Sequence, residues 1–378
     1  MSKTYLRILS IRRHKTITFL TSYNYESDKM QYMLDNDISK DLNCGDIIYC
    51  ETVDDVNNRG DKIKRITNID RRVACVDFPS YKGIDGKITD QSLNNYLNAR
   101  NCGSQINVLK FKADLLNGIQ EALNNLGYFN ATGLLNTVEN YANGSGIEDA
   151  VIQDRDFNQP RYLRVTLENQ LKQMTATILQ STYALEKVFR NMGEDASHIN
   201  EFLMLELVDI HSSMSQILEF VKKLDIMAKT LGDKHGLIVP DKELKIIDFR
   251  ELDSNRYEEL RKGFNNTIVL NFPCESPFIL MDEEGIRKET RWYVNGHWIG
   301  HYYEDEFDYQ KVKEVIDRQN QLSNKDNVNP MTYFEMGLPP SISMGLSIDR
   351  WIQMLMDMNH ISSIANPIEL DHKRRCRQ

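Results

Sequence analysis

An arginine, a histidine and two carboxylates lie on or beside one apolar, strand-like run near the middle of the chain. Arg190 and His198 precede the run, and Glu201 and Glu206 lie within it. The alternation of apolar and polar residues along this run is imperfect for a strand with one wet face. We therefore expect at least one of the two acids to face a cavity rather than open solvent.

Two further segments also carry more charge than an ordinary core element tolerates. Small residues from Gly337 lead through a strand into a helix with Arg350 in its first turn. An arginine there opposes the helix dipole, which favours a role in holding an anion or an acidic partner. The segment 161–165 is followed by Glu168 where a helix begins. Each segment alone is equally well explained by a surface salt bridge or an ordinary helix N-terminal acid, but the three together in this order favour a site.

The composition indicates a folded protein of two or three domains. The chain has 378 residues, of which 41% are hydrophobic and 27% charged, with a net charge of −9. This apolar fraction excludes wholesale disorder, and no apolar run approaches the roughly 18–20 residues that span a bilayer. We expect a cytoplasmic protein with no membrane partner. Six cysteines without a Cys-x-x-Cys pair argue against a zinc cluster or a disulfide scaffold.

Residues 1–72 contain short β-rich runs separated by turns, a pattern typical of a small OB-type barrel. The five runs lie at 5–9, 16–20, 30–34, 46–49 and 62–66. We expect an OB-fold domain at 1–72, a polar linker at 73–104 and a second domain of mixed helix and strand at 105–378.

Three amphipathic stretches predict helices in the second domain. The first ends at Leu126, with Gly127 in the position of a C-terminal cap. The second begins at Met214 and is closed by Gly232, and the third begins near Gly345.

The order of these segments resembles that of the class II aminoacyl-tRNA synthetases, most closely the bacterial lysyl-tRNA synthetases, with the aspartyl and asparaginyl enzymes close behind. Motif one resembles residues 111–136, motif two 189–206 and motif three 335–350. The resemblance implies an α+β fold in which an N-terminal OB-fold β-barrel precedes an antiparallel sheet flanked by helices. It also implies a homodimer formed through motif one.

The resemblance further implies a reaction. The family activates an amino acid with ATP, forms an aminoacyl adenylate and passes the acyl group to the 3′ end of tRNA. This chemistry needs positive charge around the triphosphate and rigid positioning, with no protein nucleophile. Arg190 matches the catalytic arginine at the α-phosphate, and Arg350 the one at the γ-phosphate end. His198 and Phe202 complete the implied ATP-binding set.

Four residues match the amino-acid pocket of the family. Glu168 matches the residue that reads the α-amino group, and Glu206 matches a further pocket acid. Asp305 falls where the lysine enzymes place the acid that receives the side-chain ammonium, and Tyr303 lines the same pocket. The implied substrate is lysine or a similar amino acid, and the implied acceptor is tRNA or another amine or hydroxyl.

Several positions depart from the family pattern. Met192 replaces a glutamate that contacts adenine, and Gly133 replaces the motif-one proline. The two metal-ligating glutamates fall on Arg291 and Trp298, which cannot ligate Mg²⁺. We therefore expect ATP as the cofactor, with Mg²⁺ deprived of its usual ligands and no metal site assigned. Other acids nearby leave a rebuilt metal site open.

The N-terminal domain carries a candidate tRNA-binding set. Phe19 and Gln31 match the family's pair that stacks on and hydrogen-bonds an anticodon base, and Arg12 belongs to a local basic patch suited to phosphate contacts. The alternative is that Phe19 belongs to the barrel core and Gln31 is a solvent-facing strand residue.

Three functions follow from these observations. The first is an ATP-dependent ligase that activates an amino acid. The second is a non-catalytic synthetase paralogue that binds an amino acid or tRNA as a regulatory subunit, because the adenine and metal acids are replaced. The third is a tRNA-binding module in which the OB domain alone is functional. We favour the first, because the phosphate-side arginines and the pocket acids are retained together and a buried charge without a function is costly to keep.

Overall fold

The computed structural model describes residues 2–23, 29–56, 60–75, 103–140, 150–152, 160–191, 193–239, 243–323 and 332–365. The chain divides into two compact units, one of residues 1–109 with 366–378 and one of residues 110–365. Met192 and residues 76–102 of the predicted linker lie outside the described residues. The predicted domain boundaries stay predictions.

The first unit contains a six-stranded sheet with the order β1-β5-β6-β4-β3-β2. Its elements are β1 (Ser2–Arg7), β2 (Ser10–Arg13), β3 (Ile17–Tyr23), β4 (Lys29–Asp35), α1 (Asn36–Ser39), β5 (Ile47–Val56) and β6 (Lys62–Val73). Leu20, Tyr32 and Ile48 belong to its buried core. All five predicted strands are present, and the sheet is consistent with an OB fold. The sequence did not predict β2, whose four residues are mostly exposed and show no apolar alternation.

In the described part of the second unit, the main sheet has eight strands in the order β13-β14-β15-β16-β17-β12-β11-β7. Its strands are β7 (Phe129–Asn130), β11 (Thr182–Phe189), β12 (Glu201–Asp209), β13 (Lys245–Asp248), β14 (Asn266–Pro273), β15 (Lys288–Val294), β16 (His297–Glu304) and β17 (Ile342–Ser347); a small sheet contains β8 (Val138–Glu139), β9 (Val151–Ile152) and β10 (Arg161–Leu163). The central strands are antiparallel, and only the outer pairs β13–β14 and β11–β7 are parallel. The predicted α+β class is confirmed.

Helices flank this sheet. They are α2 (Gly103–Asn125), α3 (Glu168–Ile178), α4 (Met214–Lys234), α5 (Tyr257–Leu260), α6 (Tyr309–Ser323), α7 (Thr332–Glu335), α8 (Ile348–Leu355) and α9 (Ser362–Ala365), with short 3-10 turns around α5. No helix in the described ranges is both long enough and apolar enough to cross a membrane.

Two of the three predicted helix boundaries need correction. The first is confirmed, because α2 ends at Asn125 and Gly127 has a φ of +86°. The second is wrong: α4 continues to Lys234, and a Cβ on Gly232 would clash with a methyl of Val239, so this glycine permits close packing rather than ending the helix. The third is also wrong, because Gly345 belongs to β17 and α8 begins at Ile348.

The resemblance implies a helix followed by an extended strand in motif one; the helix α2 is present, but the strand after it is short. The strand β7 has only two residues, and Gly133 soon after it has a φ of +82°. Its N–H donates a hydrogen bond to the Glu186 carboxylate. Proline has a fixed negative φ and no N–H, so it cannot adopt this turn. The glycine therefore accompanies a turn that a proline could not form.

Candidate functional site

Three adjacent strands, β12, β17 and β16, form the floor of a cleft of about 190 Å³ in the second unit. The register pairs Gly345 with Glu206 on one side and with His301 on the other. A Cβ on Gly300 would lie 2.8 Å from the Gly345 carbonyl oxygen, so this close approach of β16 and β17 requires glycine. The polar and aromatic side chains that line the cleft include Arg190, His198, Phe202, Trp298, His301 and Arg350.

Arg190 enters the cleft directly after β11. Its backbone N–H donates to the Asn200 carbonyl at 2.8 Å, and its Nε donates to the Val165 carbonyl at 3.1 Å. The guanidinium carbon lies 5.4 Å from the centre of the Phe202 ring. Burial removes solvent from the Arg190 guanidinium and so lowers its pKa. A bound anion would stabilise this poorly solvated charge.

Arg350 enters the same cleft from the first turn of α8. Its Nε and Nη2 donate to the Ser197 carbonyl at 3.3 Å and 3.1 Å. Burial lowers the pKa of Arg350, and the neighbouring Arg190 lowers it further. Two guanidinium groups that repel each other in one cleft are stabilised by a shared anion, which suits a polyphosphate.

The neighbouring acid fixes the position of the Arg350 helix. Asp349 is buried and accepts a hydrogen bond from the Leu203 backbone N–H at 2.8 Å. Its other oxygen lies 2.5 Å from the Lys112 ammonium on α2. Trp351, which follows Arg350, is fully buried. Contacts on both sides of Arg350 therefore hold its backbone in place.

His198 lines the cleft beside the two arginines. Its Nδ1 lies 2.9 Å from the Asp195 carboxylate. The Ser197 backbone N–H and His198 lower the pKa of Asp195 to about 2, so this acid is ionised and orients the ring. The structure thus brings together the four predicted ATP-site residues, including Arg190, Phe202 and Arg350. Their roles toward ATP stay predictions.

The predicted amino-acid pocket contains a buried lysine that the sequence analysis did not assign. The Lys172 ammonium lies 2.5 Å from Glu168 Oε1 and 2.7 Å from Asp305 Oδ1, and its side chain is 0% exposed. Tyr303 donates its hydroxyl to Glu168 Oε1 at 2.8 Å. The structure therefore brings the predicted residues together around an ammonium group that belongs to the chain itself.

The pocket keeps both of these acids close to a cation. Burial alone would raise the pKa of Glu168, but Lys172 and the Tyr303 hydroxyl together lower it. Burial raises the pKa of Asp305 despite the attraction of Lys172. Asp305 Oδ2 also accepts hydrogen bonds from the hydroxyls of Ser341 and Ser343 at 2.7 Å and 2.8 Å.

Glu206 adjoins both parts of the site. Its carboxylate accepts hydrogen bonds from the Thr166 hydroxyl at 2.8 Å and from the Leu167 N–H at 2.9 Å. Burial and the nearby charge of Glu168 raise the pKa of Glu206 to about 7, although Arg190 opposes the shift. Glu206 therefore feels the charge of Arg190 in the cleft and of Glu168 in the acidic pocket, and its backbone pairs with that of Gly345, which lines the cleft.

The pKa of Glu206 predicts a pH dependence for amino-acid binding. An α-ammonium beside Glu206 favours the ionised carboxylate, so binding near neutral pH should release a proton. We expect the affinity to rise as the pH increases toward about 7 and to level off above it. Calorimetry in buffers of different ionisation enthalpy measures the proton release. Glu206→Gln should abolish it, and wild-type binding without any proton release would contradict this role.

The positions of the family's metal acids do not fit a metal ion. The Arg291 guanidinium carbon lies 3.6 Å from the centre of the Phe272 ring and 4.5 Å from that of Trp298. Arg291 donates to Glu289, whose second oxygen lies 2.6 Å from His301 Nδ1. Within the part of the chain that the structure describes, no group of three metal-capable side chains is present. Mg²⁺ needs oxygen ligands, and here a cation and an indole stand in their place.

The candidate tRNA-binding residues share one face of the first unit. The Arg12 guanidinium carbon lies 5.4 Å from the centre of the Phe19 ring. Phe19 and Gln31 lie on the same face, because Gln31 pairs with Thr21, two residues from Phe19 on β3. Phe19 is half-buried and outside the core cluster, and Gln31 is exposed. Core packing therefore does not account for Phe19, and its contact with tRNA stays a prediction.

Comparison with known families decides the assignment. Residues 90–366, well over half of the chain, match the family model of the class II tRNA synthetases (D, K and N). The chain belongs to the class II tRNA synthetase (D, K and N) family. The resemblance seen in the sequence is confirmed, and the cleft and pocket both lie within the matched residues.

Curated relatives of this class II synthetase chain are lysine–tRNA ligases. The ligase of Thermoanaerobacter pseudethanolicus is 21% identical over 314 residues, which are 67% of this chain and 62% of the relative. That of Staphylococcus aureus strain MRSA252 is 21% identical over 397 residues, covering 87% of this chain and 78% of the relative. The chain thus spans about 62% of the length of the first of these relatives.

A solved structure has the same fold as this class II synthetase chain. It is the asparaginyl-tRNA synthetase of Pyrococcus horikoshii in complex with asparaginyl-adenylate. The two have a TM-score of 0.79 at 16% sequence identity, over 97% of this chain and 94% of the other. This likeness shows the fold.

Proposed function

We propose that this chain activates an amino acid with ATP as an aminoacyl adenylate and passes the acyl group to tRNA. The observation that supports this proposal is the meeting of Arg190 and Arg350 in one cleft, next to the buried acid Glu206, which interacts electrostatically with Arg190 and with Glu168. A cleft for a polyphosphate beside a pocket for an ammonium is the arrangement that this reaction needs.

In this proposal the residues position the two substrates and stabilise the charge that develops in the transition state, and none becomes covalently attached to the substrate. The amino-acid carboxylate attacks the α-phosphorus of ATP in line, and pyrophosphate leaves. Arg190 stabilises the charge that develops on the α-phosphate, and Arg350 binds the γ-phosphate end. Glu168 holds the α-ammonium in this proposal, with the charge of Glu206 close by.

Amino-acid-dependent exchange of pyrophosphate into ATP tests the proposal. Each of the twenty amino acids is assayed with and without Mg²⁺, and at least one is expected to stimulate exchange. A protein that binds tRNA and amino acid but exchanges with none of the twenty would contradict adenylate formation.

The buried lysine bears on the choice of amino acid. The family resemblance implies lysine or a similar amino acid as the substrate, and its side-chain ammonium would lie at Asp305. Lys172 already occupies that position at 2.7 Å, so free lysine would have to displace it. The arrangement therefore favours a substrate whose side chain carries no positive charge. Exchange driven by lysine alone in the wild-type protein would contradict this preference.

A second candidate is a synthetase paralogue that binds its amino acid or tRNA as a regulatory subunit without forming adenylate. The observation that favours it is the stacked pair of Arg291 and Trp298 at the positions of the metal acids. Calorimetric binding of an amino acid together with an absence of exchange would support the paralogue over the enzyme.

The proposed tRNA contact predicts a loss of affinity on one face of the first unit. Phe19→Ala removes an aromatic surface on which a base can stack, and such stacking is worth about 1–3 kcal/mol, or about 5- to 150-fold in affinity. Filter binding of bulk tRNA measures the change. The control is Tyr5→Ala, which removes another exposed aromatic of the same unit, one that stacks on Tyr49 at 4.5 Å. Equal affinities of both variants and wild type would contradict the tRNA-binding prediction.

We also propose the homodimer that the family resemblance implies. Leu134 and Ile178 are exposed apolar residues that line one open groove beside the motif-one turn. A partner that covers this groove would remove apolar surface from water. Sedimentation equilibrium measures the association state, and a monomer at micromolar concentration would contradict the proposal.

A further inference from the structure

A stack of three side chains forms part of one wall of the cleft. The Trp298 and Phe272 rings both lie against the Arg291 guanidinium, with ring centres 4.5 Å and 3.6 Å from its carbon. The indole N–H donates to the Gly300 carbonyl at 2.9 Å, which fixes the ring. Trp298 is 42% exposed and lines the cleft, whereas Arg291 does not line it and is partly buried behind the indole.

Both oxygens of the acid that contacts this stack already have partners. Glu289 is 3% exposed; one of its oxygens accepts from Arg291 at 2.6 Å and the other lies 2.6 Å from His301 Nδ1. A cation bound there would lie beside the Arg291 guanidinium. The Coulomb repulsion between two such charges is stronger in a partly buried site than in water.

We propose that the cleft takes its nucleotide without a divalent cation held by the protein, so that the bound species is the metal-free nucleotide. This inference rests on the proposed binding of ATP. The negative charge of the ligand meets Arg190 and Arg350, and the rigid indole of Trp298 occupies the space of the metal ligands. Chelation by Mg²⁺ removes two negative charges from the triphosphate, so the chelate is attracted less strongly by the two guanidinium groups.

Calorimetric titration with a non-hydrolysable ATP analogue tests this inference on the full chain, once in EDTA and once in excess Mg²⁺. We expect the affinity in Mg²⁺ to be at most about threefold higher than the affinity in EDTA, because no protein ligand recovers the cost of dehydrating the ion. An affinity at least about tenfold higher in Mg²⁺, a difference of about 1.4 kcal/mol, would overturn the inference and leave the proposed function intact. Absence of nucleotide binding under both conditions would overturn both.

A direct measurement of the cation gives an independent outcome. Electron paramagnetic resonance distinguishes free Mn²⁺ from Mn²⁺ bound to the protein in the presence of the analogue. Because the proposed bound species is metal-free, we expect added protein to withdraw analogue from its Mn²⁺ complex, so that the signal of free Mn²⁺ rises and no protein-bound signal appears. A signal from protein-bound Mn²⁺ at one equivalent would overturn the inference.

Restoring the acids provides the converse test. The double variant Arg291→Glu with Trp298→Glu is expected to bind the analogue in Mg²⁺ at least about tenfold more tightly than in EDTA. The control is Lys187→Glu, which reverses the charge of an exposed residue paired with Glu201 on the same sheet. It should behave as wild type, and Mg²⁺ dependence in this control would overturn the assignment to the Arg291–Trp298 wall. If the double variant does not fold, the wild-type titration and the Mn²⁺ spectrum decide.

Discussion

Arg190→Ala is expected to lower the kcat of amino-acid-dependent pyrophosphate exchange by about 100- to 1,000-fold, the usual cost of removing one preorganised group that stabilises developing charge. Arg190 is suited to this because the Val165 carbonyl and the Phe202 ring hold its guanidinium, and the Asn200 carbonyl holds its backbone N–H. In the proposed reaction the charge on the α-phosphate develops in the transition state, so the loss should appear in kcat. Steady-state exchange at saturating ATP measures it.

Arg350→Ala provides the contrast within the same cleft. A group at the γ-phosphate end binds the ground state and the transition state alike, so its removal should raise the KM for ATP more than it lowers kcat. Lys187→Ala serves as the neutral control, because its ion pair with Glu201 is exposed and outside the cleft. A kcat for Arg190→Ala within a few fold of wild type would show that this arginine does not stabilise the α-phosphate.

Lys172→Met is expected to lower the free energy of unfolding by about 3–5 kcal/mol, because it leaves buried carboxylates without their cation. Asp305 is 1% exposed and lies 2.7 Å from the Lys172 ammonium. Urea unfolding, followed by the fluorescence of the buried Trp292 and Trp351, measures the loss. A change below about 1 kcal/mol would show that the buried pair is not a stabilising element of this unit.

Two further measurements separate the lost charge from lost packing. Combining Lys172→Met with Asp305→Asn removes both charges, and we expect it to recover most of the stability, since the amide oxygen can still accept from Ser341 and Ser343. In the single variant, burial without Lys172 raises the pKa of Asp305 further above its unfolded value. The penalty grows as pH rises between those two pKa values, so acidification should restore part of the stability.

The same variant tests the proposed substrate preference. Without Lys172, the Asp305 carboxylate becomes available to an ammonium supplied by the substrate. Among the twenty amino acids, exchange or binding with lysine should therefore increase most in Lys172→Met. An unchanged amino-acid profile would show that Asp305 does not contact the substrate side chain.

Local sequence patterns were sufficient to predict several parts of the fold. The apolar spacing before Gly127 gave the end of α2 within a few residues, because a glycine at positive φ is a local signal. The prediction that Gly232 ends α4 was wrong, because the requirement for glycine at this position comes from a tertiary contact with Val239. The same holds for Gly345, which lies in a strand whose neighbours, β12 and β16, are distant in the sequence.

The site was predictable where the motif spacing carries the function. Arg190 and Arg350 lie in one cleft, as their motifs imply. Lys172 had a local signal, since it lies four residues after Glu168 and so one helical turn away. The burial of Lys172 had no local signal, because its second partner, Asp305, is distant in the sequence. The Arg291 stack lies beside a register shift between Val269 and Phe272, which sequence periodicity does not reveal.

The contacts of Asp349 connect the Arg350 end of the cleft to α2, a helix that does not line the cleft. Lys112 on α2 lies 2.5 Å from this carboxylate, and Arg350 is the next residue along the same helical turn. Any axial displacement of α2 therefore acts on the backbone that carries the Arg350 guanidinium. A molecule that binds to α2 would therefore act on the position of Arg350 without entering the cleft.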